Sequence, residues 1–345
     1  MADEDGEAEV GDTGPFGIEK AKYAFCACCV GIILLPCMLI MLGLNEKGYV
    51  CREKDIIYAE NDATEASCTG TPPKDQFVFF SCAIDEKKLQ KFTLKDFNPD
   101  FDADLGNAIT FNSVAASQTV EMYQCIESIS TSTTGTGDNK KTVKTYSYRM
   151  EWRSQSIGST GFQDPNKAKA ACGADFDQNP SFPSNVKVSS TPQRMKKVPV
   201  GIFELHAELS NSFQADTTVS LDAFANNFPN TPLTPPAMTN QAPRITKNNI
   251  RPNGNFLETC STKVGCVRIS LKKNGATYAS AFVNSGVGGK TAAQPTKSSW
   301  GCSSGNFAEI FQARKTKAEA ISSLESSNTG QLWALRVVGV LLSWA

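Results

Sequence analysis

Cysteine is the residue type whose number and spacing in this sequence point most directly to chemistry. Four of the twelve cysteines lie in one apolar stretch: Cys26, Cys28, Cys29 and Cys37. The other eight are dispersed downstream without the spacing of a zinc site: Cys51, Cys68, Cys82, Cys125, Cys172, Cys260, Cys266 and Cys302. Such a pattern is typical of an oxidising compartment, so we expect four disulfides; the alternative is eight reduced thiols in a cytosolic domain. Eight cysteines allow roughly a hundred pairings, and none is assigned.

Histidine chemistry is restricted to a single residue, His206. A Ser-His-acid triad, a Cys-His pair and most zinc sites would all need it. The sequence has no phosphate-binding loop, dinucleotide fingerprint or nucleophile elbow. Glu121 and Glu151 could form a carboxylate pair across a hairpin, or simply belong to a solvated face. We expect no enzyme activity, no cofactor and no metal; an enzyme of unrecorded type is the alternative.

The charge of the chain is unevenly distributed. The net charge is −1, which provides no overall field for nucleic acid, and no nucleic-acid partner is expected. Residues 1–19 nevertheless carry seven acids and no Lys or Arg. Such a segment buries too little apolar surface to order itself, so residues 1–22 are predicted to be a disordered acidic tail. A specific acidic docking peptide is the alternative.

An uncharged stretch follows from Ala24 to Leu44. As a helix it would span about 31 Å, close to the hydrocarbon thickness of a bilayer. The apolar run is longer than that of a signal peptide, and the residues before it are acidic rather than basic. We therefore expect a transmembrane helix at 23–44 in contact with membrane lipid, with a cleaved signal peptide as the alternative.

The flanking lysines and arginines do not decide the orientation of this helix, whereas the dispersed cysteines favour a domain outside the cytosol. Cys26, Cys28 and Cys29 would then lie at the cytosolic end of the helix, where S-palmitoylation can occur. The alternative is that these are small residues that suit a helix in lipid.

The middle of the chain is rich in strand patterns. Residues 76–84, QFVFFSCAI, predict a buried strand. Residues 119–128 and 145–154 flank a polar loop and predict a long antiparallel hairpin. Tyr146, Tyr148, Met150 and Trp152 share one face of its second strand by the two-residue period. We expect this aromatic face to pack in a core, with a partner surface as the alternative.

Other patterns complete the predicted domain. Asn274-Gly275 lies between two strand-like runs and predicts a second hairpin. Residues 201–213 carry apolar residues at helical spacing, and the proline-rich stretch 227–243 predicts a surface connector. An amphipathic helix is predicted over 306–327, and residues 331–345 predict either the start of a second membrane helix or an interfacial anchor.

The predicted fold class is thus α+β and membrane-anchored: an N-terminal transmembrane helix, a large, mainly antiparallel β ectodomain at 45–330 with a few helices, and a partial second membrane helix.

Several quoted stretches resemble the transmembrane protein 43 family, also called LUMA. VEMYQCIES (120–128) and TYSYRMEWRS (145–154) are similar to its most characteristic block. LGLNEKG (42–48), KDQFVFFSCAI (74–84), GCVRISLKKNG (265–275) and LWALRVVGVLLSWA (332–345) agree in order. Cys125 departs from the aromatic residue expected after VEMYQ. The residues that carry the family motif or its packing are Val120, Glu121, Met122, Tyr123, Gln124, Tyr146, Tyr148, Glu151, Trp152 and Arg153.

The resemblance implies a protein of the endoplasmic reticulum and inner nuclear membrane whose large domain is lumenal. It also implies self-association into a homo-oligomer, links to emerin and lamins, and no catalytic residues. The likeness ends within the family's second span, so either the sequence is incomplete or this form differs from the family in its later spans. We therefore expect a non-enzymatic membrane scaffold that organises membrane protein complexes. The alternative is a cell-surface receptor or adhesion ectodomain with one N-terminal anchor.

Overall fold

A computed structural model of the chain describes residues 16–134, 141–189, 191–230, 232–233, 239–286, 290–292, 294–295 and 306–344. The described residues form two compact units. Unit 1 contains the first and last long helices together with short strands between 294 and 307. Unit 2 contains residues 65–293 and 308–314 and holds both large sheets.

Unit 1 is built on two antiparallel helices, α1 (Phe16–Asp62) and α6 (Lys317–Trp344). Three side chains connect them. Asn45 Nδ2 donates to the carbonyl of Leu332 at 3.3 Å, and Arg336 Nε donates to Glu46 Oε1 at 2.8 Å. The buried Asn328 donates to the Tyr49 carbonyl and to Glu53. Two short strands, β16 (Gln294–Pro295) and β17 (Asn306–Phe307), pair antiparallel in the same unit.

The predicted fold class is wrong in its membrane anchors, the transmembrane helix at 23–44 and the partial membrane helix at 331–345. In the part of the chain that the structure describes, no helix is sufficiently long and apolar to traverse a bilayer. Both long helices run through charged sequence: α1 continues past Glu46, Lys47 and Arg52 to Asp62, and α6 begins at Lys317. The corrected fold class is mixed α+β with mostly antiparallel sheets.

The N-terminal predictions fall mainly outside the described residues. This applies to residues 1–15 of the predicted acidic tail and to the side chains of Cys26, Cys28 and Cys29. Helix α1 begins at Phe16, inside the predicted tail of 1–22.

The first large sheet of unit 2 has the strand order β1-β2-β14-β15-β9-β8, with β18 also pairing with β14. Strands β15 and β9 run parallel, whereas β14 pairs antiparallel with β2, β15 and β18, and β8 pairs antiparallel with β9. Its strands are β1 (Thr64–Glu65), β2 (Gln76–Ala83), β8 (Lys197–Val200), β9 (Phe203–His206), β14 (Tyr278–Ser285), β15 (Lys290–Ala292) and β18 (Glu309–Phe311). Strand β2 is the predicted buried strand, with Phe77 to Phe80 all buried.

The second large sheet has the order β11-β12-β13-β5-β6, with β10 pairing with β13 and β7 with β5. Its strands are β5 (Ala115–Thr134), β6 (Lys141–Arg153), β7 (Gln193–Arg194), β10 (Thr217–Thr218), β11 (Arg251–Asn253), β12 (Phe256–Glu258) and β13 (Val267–Lys273). Strands β5 and β6 confirm the predicted long hairpin and pair from Met122–Arg153 to Thr134–Lys141. The pairing of β5 with β13 ends at Met122. Beyond that residue β5 pairs with β6 alone, and these two strands continue as a two-stranded ribbon.

Short elements connect the sheets. They are β3 (Gln90–Thr93) and β4 (Thr110–Ser113), which pair with each other, the helices α2 (Leu94–Phe97), α3 (Ala103–Gly106), α4 (Pro165–Cys172) and α5 (Ala207–Ser210), and the 3-10 helices Glu86–Lys88 and Asp222–Asn227. Two helix predictions are wrong here. Most of 201–213 is not helical, because Phe203 and Leu205 alternate into the core from β9 before the short α5. The helix predicted over 306–327 is wrong at its start, where β17 and β18 form, and correct over 317–327, which belongs to α6.

The second predicted hairpin is also wrong. Asn274-Gly275 joins β13 of the second sheet to β14 of the first instead of turning one strand back on its neighbour. Asn274 is buried; its backbone N–H donates to the Ala115 carbonyl at 2.8 Å, and its Nδ2 donates to the Gln214 carbonyl at 2.8 Å. Gly275 is not among the glycines with positive φ, so the backbone lacks the left-handed pair that a type I′ turn needs.

Candidate functional site

The block that carries the family motif forms one structural feature, which we call the aromatic ribbon: residues 120–129 of β5 and 146–153 of β6. Its two strands pair residue by residue, with Tyr123 opposite Trp152 and Glu127 opposite Tyr148. Because side chains alternate between the faces of a strand, the odd-numbered residues of β5 lie on the same face as the even-numbered residues of β6. The ribbon therefore has one inner and one outer face.

The inner face anchors the ribbon in the core. Val120 and Met122 are fully buried, among a cluster that includes Leu257 and Ile269. Gln124 is buried too, and its amide is satisfied locally: Nε2 donates to the Gln155 carbonyl and Oε1 accepts from the Ile157 N–H, both at 2.8 Å. These contacts explain why a buried amide is tolerated at this position.

The outer face centres on Arg268 of β13. Its Nε donates to Glu121 Oε2 at 2.7 Å, and the two side chains are only 22% and 23% exposed. The guanidinium carbon lies 4.5 Å from the ring centre of Trp152 and 4.5 Å from that of Phe256. Trp152 also packs on Tyr123, with 5.0 Å between ring centres. One cation is thus held between two aromatic rings and a carboxylate, which is a stabilising arrangement.

The middle of the outer face, around Cys125, Tyr148 and Met150, is covered by α4 and the segment after it. The Cys125–Cys172 disulfide joins β5 to the end of this helix, with the two Cα atoms 5.8 Å apart. A small apolar cluster surrounds it, in which Tyr148 and Met150 pack beside the buried Phe176. Tyr146, Tyr148, Met150 and Trp152 are all half-buried. On this face Tyr148 and Met150 pack against the apolar cluster, and Trp152 packs on Tyr123.

Tyr148 connects the ribbon to the segment that precedes α4. Its hydroxyl donates to Glu127 Oε1 at 2.6 Å and accepts from the Asp164 N–H at 2.8 Å. Glu127 Oε1 also accepts from the Gln163 N–H at 2.8 Å. Desolvation raises the pKa of Tyr148 above its ordinary value, and the hydrogen bond to Glu127 raises it further. This tyrosine therefore acts as a structural hydrogen-bond donor at neutral pH.

Glu151 lies on the opposite face between two cations. Arg149 donates to it, and Arg153 approaches its other oxygen at 2.5 Å. The hydrogen bond from Arg149, followed by its charge and that of Arg153, lowers the pKa of Glu151. Because Glu121 points to the outer face, the suggested carboxylate pair of Glu121 and Glu151 does not form.

Six of the eight downstream cysteines form three disulfides: Cys68–Cys82, Cys125–Cys172 and Cys260–Cys266. Cys51 is also disulfide-bonded, and Cys302 lies outside the described residues. These bonds agree with the expectation of a disulfide-bearing domain. The pairing follows from the fold, which brings together residues as far apart in sequence as Cys125 and Cys172.

The described residues contain no group of three or more His, Cys, Asp or Glu side chains that could hold a metal ion. His206 lies on β9, with its Nε2 3.4 Å from Glu204 Oε1. Lys197 approaches the same carboxylate oxygen at 3.1 Å. Lys197 and Glu204 thus form an ion pair beside the imidazole, whose Nε2 atom is buried and makes no hydrogen bond within the described residues.

Two residues that shape the ribbon were missed by sequence reasoning. Arg268 lies in the strand-like stretch 265–275, but the sequence does not show its partner. Only the pairing of β13 with β5 places it opposite Glu121. Asn179 lies in a loop; it accepts from the Cys125 N–H at 2.8 Å and donates to the Cys125 carbonyl at 2.7 Å, so it caps the edge of β5. No periodic signal marks such a residue.

These features define a disulfide-bearing, mixed α+β protein whose characteristic element is a braced aromatic ribbon. A model of the Transmembrane protein 43 family matches residues 122–345, which begins inside that ribbon and covers more than half of the chain. The chain belongs to this family, and the resemblance seen in the sequence is confirmed. The family is membrane-associated and is not a known enzyme family. Neither the curated proteins nor the solved structures include a match to the chain.

Proposed function

We propose that this chain is a non-enzymatic scaffold of the endoplasmic reticulum and inner nuclear membrane, which organises membrane protein complexes through self-association of its α+β domain. Family membership supports the membrane association. The three disulfides support a lumenal position for unit 2, since such bonds persist in oxidising compartments. Emerin-like and lamin-like partners are part of the proposal by family resemblance.

The observation that carries the proposal is that β6 is an edge strand, with one side of its backbone not paired to another strand in the described part of the sheet. This strand has 13 residues, and β5 is its only strand neighbour in the described part of the sheet. An edge strand presents backbone N–H and C=O groups to which another strand can be added. Two copies of β6 related by a two-fold axis would pair antiparallel and would join two sheets into one.

The side chains of β6 favour a selective contact at this edge over indiscriminate aggregation. Arg149, Glu151 and Arg153 place charges of both signs along the strand, with 54%, 29% and 46% of their side-chain areas exposed. Charged edge residues oppose pairing with an unmatched strand, because burying an unpaired charge is costly.

Cysteine crosslinking in membranes, with the chain at native expression level, tests this proposal. A Thr145→Cys variant places a thiol in the exposed part of β6. We expect a short bis-maleimide to give a covalent dimer. The control is Thr119→Cys, an exposed residue of β5 where β13 and β5 already pair. Recovery of monomer alone would exclude self-association, and equal dimer from both variants would exclude β6 as the contact.

Surface labelling of unpermeabilised cells tests the proposed location. An internal membrane protein is not labelled under these conditions. Labelling of the chain would contradict the proposal and would favour the receptor or adhesion alternative.

A further inference from the structure

A long open groove of about 880 Å³ lies between α1 and α6 in unit 1, and we call it the helix groove. Its volume is within the range of sites that hold small organic ligands. It is lined by Met38, Met41, Leu42, Leu44, Asn45 and Gly48 of α1 and, among others, Leu332, Leu335 and Val338 of α6. Residues at i, i+3, i+4 and i+7 share one helix face, so the lining is a continuous stripe of each helix.

The two ends of the helix groove differ in polarity. Because the helices are antiparallel, the apolar Met38 and Met41 lie at the same end as Leu335 and Val338. The other end is lined by Tyr49, Arg52, Asn328 and Gln331. From position 38 to position 52 the helix axis advances about 21 Å. The groove thus combines an elongated apolar trough with a polar head region.

Two features of the helix pair keep the helix groove open: the hydrogen bonds between the helices and the glycine at position 48. The bonds from Asn45 to the Leu332 carbonyl and from Asn328 to the Tyr49 carbonyl hold the two stripes at a fixed separation. Gly48 lies between them, and a Cβ atom added there would meet no atom within 4 Å. The absence of a side chain at position 48 therefore keeps the trough open.

The charge of the lining selects the kind of head group. Arg52 is the only ionisable Lys, Arg, Asp or Glu among the described residues that line the helix groove. Its guanidinium lies 5.5 Å from the Phe307 ring centre and interacts with the charge of Asp55 on the same helix. A guanidinium can donate to two oxygens of a phosphate or carboxylate at once.

Apolar side chains continue beyond the groove on the surface of both helices. Leu39 and Ile40, which do not line the groove, are each 62% exposed, and Trp333 is 58% exposed. Contiguous exposed apolar surface marks a binding or membrane-contact site. These exposed apolar side chains on the two helices favour a lipid as the occupant of the groove over a water-soluble metabolite.

We propose that the helix groove binds one acyl chain of an anionic phospholipid, with the phosphate-bearing head group at Arg52. The acyl chain lies along Gly48 towards Met38 and Val338, where it replaces water against the apolar lining. This goes beyond the proposed scaffold role, because it assigns a ligand to unit 1 and does not depend on pairing of β6.

Photolabelling of the full chain in vesicles tests the proposal. The vesicles are phosphatidylcholine with a small fraction of phosphatidylserine that carries a diazirine in one acyl chain; a matched diazirine phosphatidylcholine is the neutral probe. We expect labelled peptides from 38–52 and 328–338, with about tenfold preference for the anionic probe. Gly48→Leu is expected to lower groove labelling about tenfold, since its side chain fills the trough. Arg52→Gln is expected to remove the preference between the two probes.

Gly43→Leu is the matched control, because Gly43 is on the same helix, also has open space at Cβ, and does not line the groove. Unchanged labelling in Gly48→Leu, or an equal loss in Gly43→Leu, would overturn the proposal. So would equal labelling of the wild type by both probes. A photoreactive amino acid at Gln331 that captures a protein helix instead of lipid would also overturn it. Each readout is independent of oligomer formation, so failure here is distinguishable from failure of self-association.

Discussion

The guanidinium of Arg268 lies 4.5 Å from the ring centre of Trp152, although β5 separates their two strands in the sheet. The arginine reaches across β5, where it bonds Glu121, and on its other side it contacts Phe256 of β12. One side chain therefore links four successive strands. This contact stabilises the base of the aromatic ribbon where β5 loses β13 as a partner.

Replacement of Arg268 tests this bracing. We expect Arg268→Met to lower the free energy of unfolding by about 1–3 kcal/mol, because it removes a charge-assisted hydrogen bond and two cation–π contacts while keeping part of the apolar stem. Urea unfolding of the full chain measures the change. Lys272→Met, at an exposed position of the same strand, is the control and is expected to change stability little. Equal effects of the two variants would show that the guanidinium contacts contribute nothing.

The contribution of each disulfide to the free energy of unfolding should depend on the number of residues in the loop that it closes. Cys125–Cys172 spans 47 residues and Cys260–Cys266 spans 6. Loop-closure entropy predicts losses of about 4 and about 2 kcal/mol when each pair is replaced by alanine. Thermal unfolding under non-reducing conditions measures both. A larger loss for the Cys260–Cys266 pair would show that this entropic account does not apply here.

The raised pKa of Tyr148 predicts that the stability of the protein decreases at alkaline pH. Its pKa is raised in the folded state, so its contribution is fully present below the unfolded pKa, which is near 10, and is lost as pH rises through the folded pKa. We expect Tyr148→Phe to lower the melting temperature by a few degrees at pH 7 and to reduce the decline in stability above pH about 10. Tyr146→Phe, on the same face, is the control. If the alkaline decline is the same in all three proteins, Tyr148 does not cause it.

We expect any side chain at position 275 to clash with Thr217 and to destabilise the fold. A Cβ atom at this position would lie 2.1 Å from Thr217 Oγ1 and 3.1 Å from Thr217 Cβ. We expect Gly275→Ala to destabilise the protein by about 1–3 kcal/mol through overpacking, and Thr217→Ala to recover part of that loss in the double variant. Gly158→Ala is the control, because its added Cβ has no neighbour within 4 Å. Additive losses from Gly275→Ala and Thr217→Ala would exclude the clash as the cause.

The elements that the sequence predicted correctly are those whose side chains alternate over many residues. Strand β2 and the β5–β6 hairpin have long two-residue periods, and this pattern reports which face is buried. The family motif lies in the same hairpin, on two paired strands, but it was recognised by resemblance and not from the two-residue period. The outer-face packing around Met150 also followed from this periodicity.

The elements that failed depend on contacts between distant residues. Residues 203–209 fit both a helical and a strand period, and pairing with β8 selected the strand for the first four. Asn274-Gly275 has the composition of a hairpin turn. In the fold, however, Asn274 is a buried junction that donates hydrogen bonds to the Ala115 and Gln214 carbonyls and to Gln312 Oε1. The helix groove had no local signal, because it exists only when α1 and α6 lie side by side.

The junction at Asn274 has a mechanical consequence. Only residues 274–277 separate β13 from β14, and these strands belong to different sheets. A force on β13, a central strand of the second sheet, therefore reaches β14, a central strand of the first, through only four residues. We expect the two sheets to unfold together when the domain is pulled.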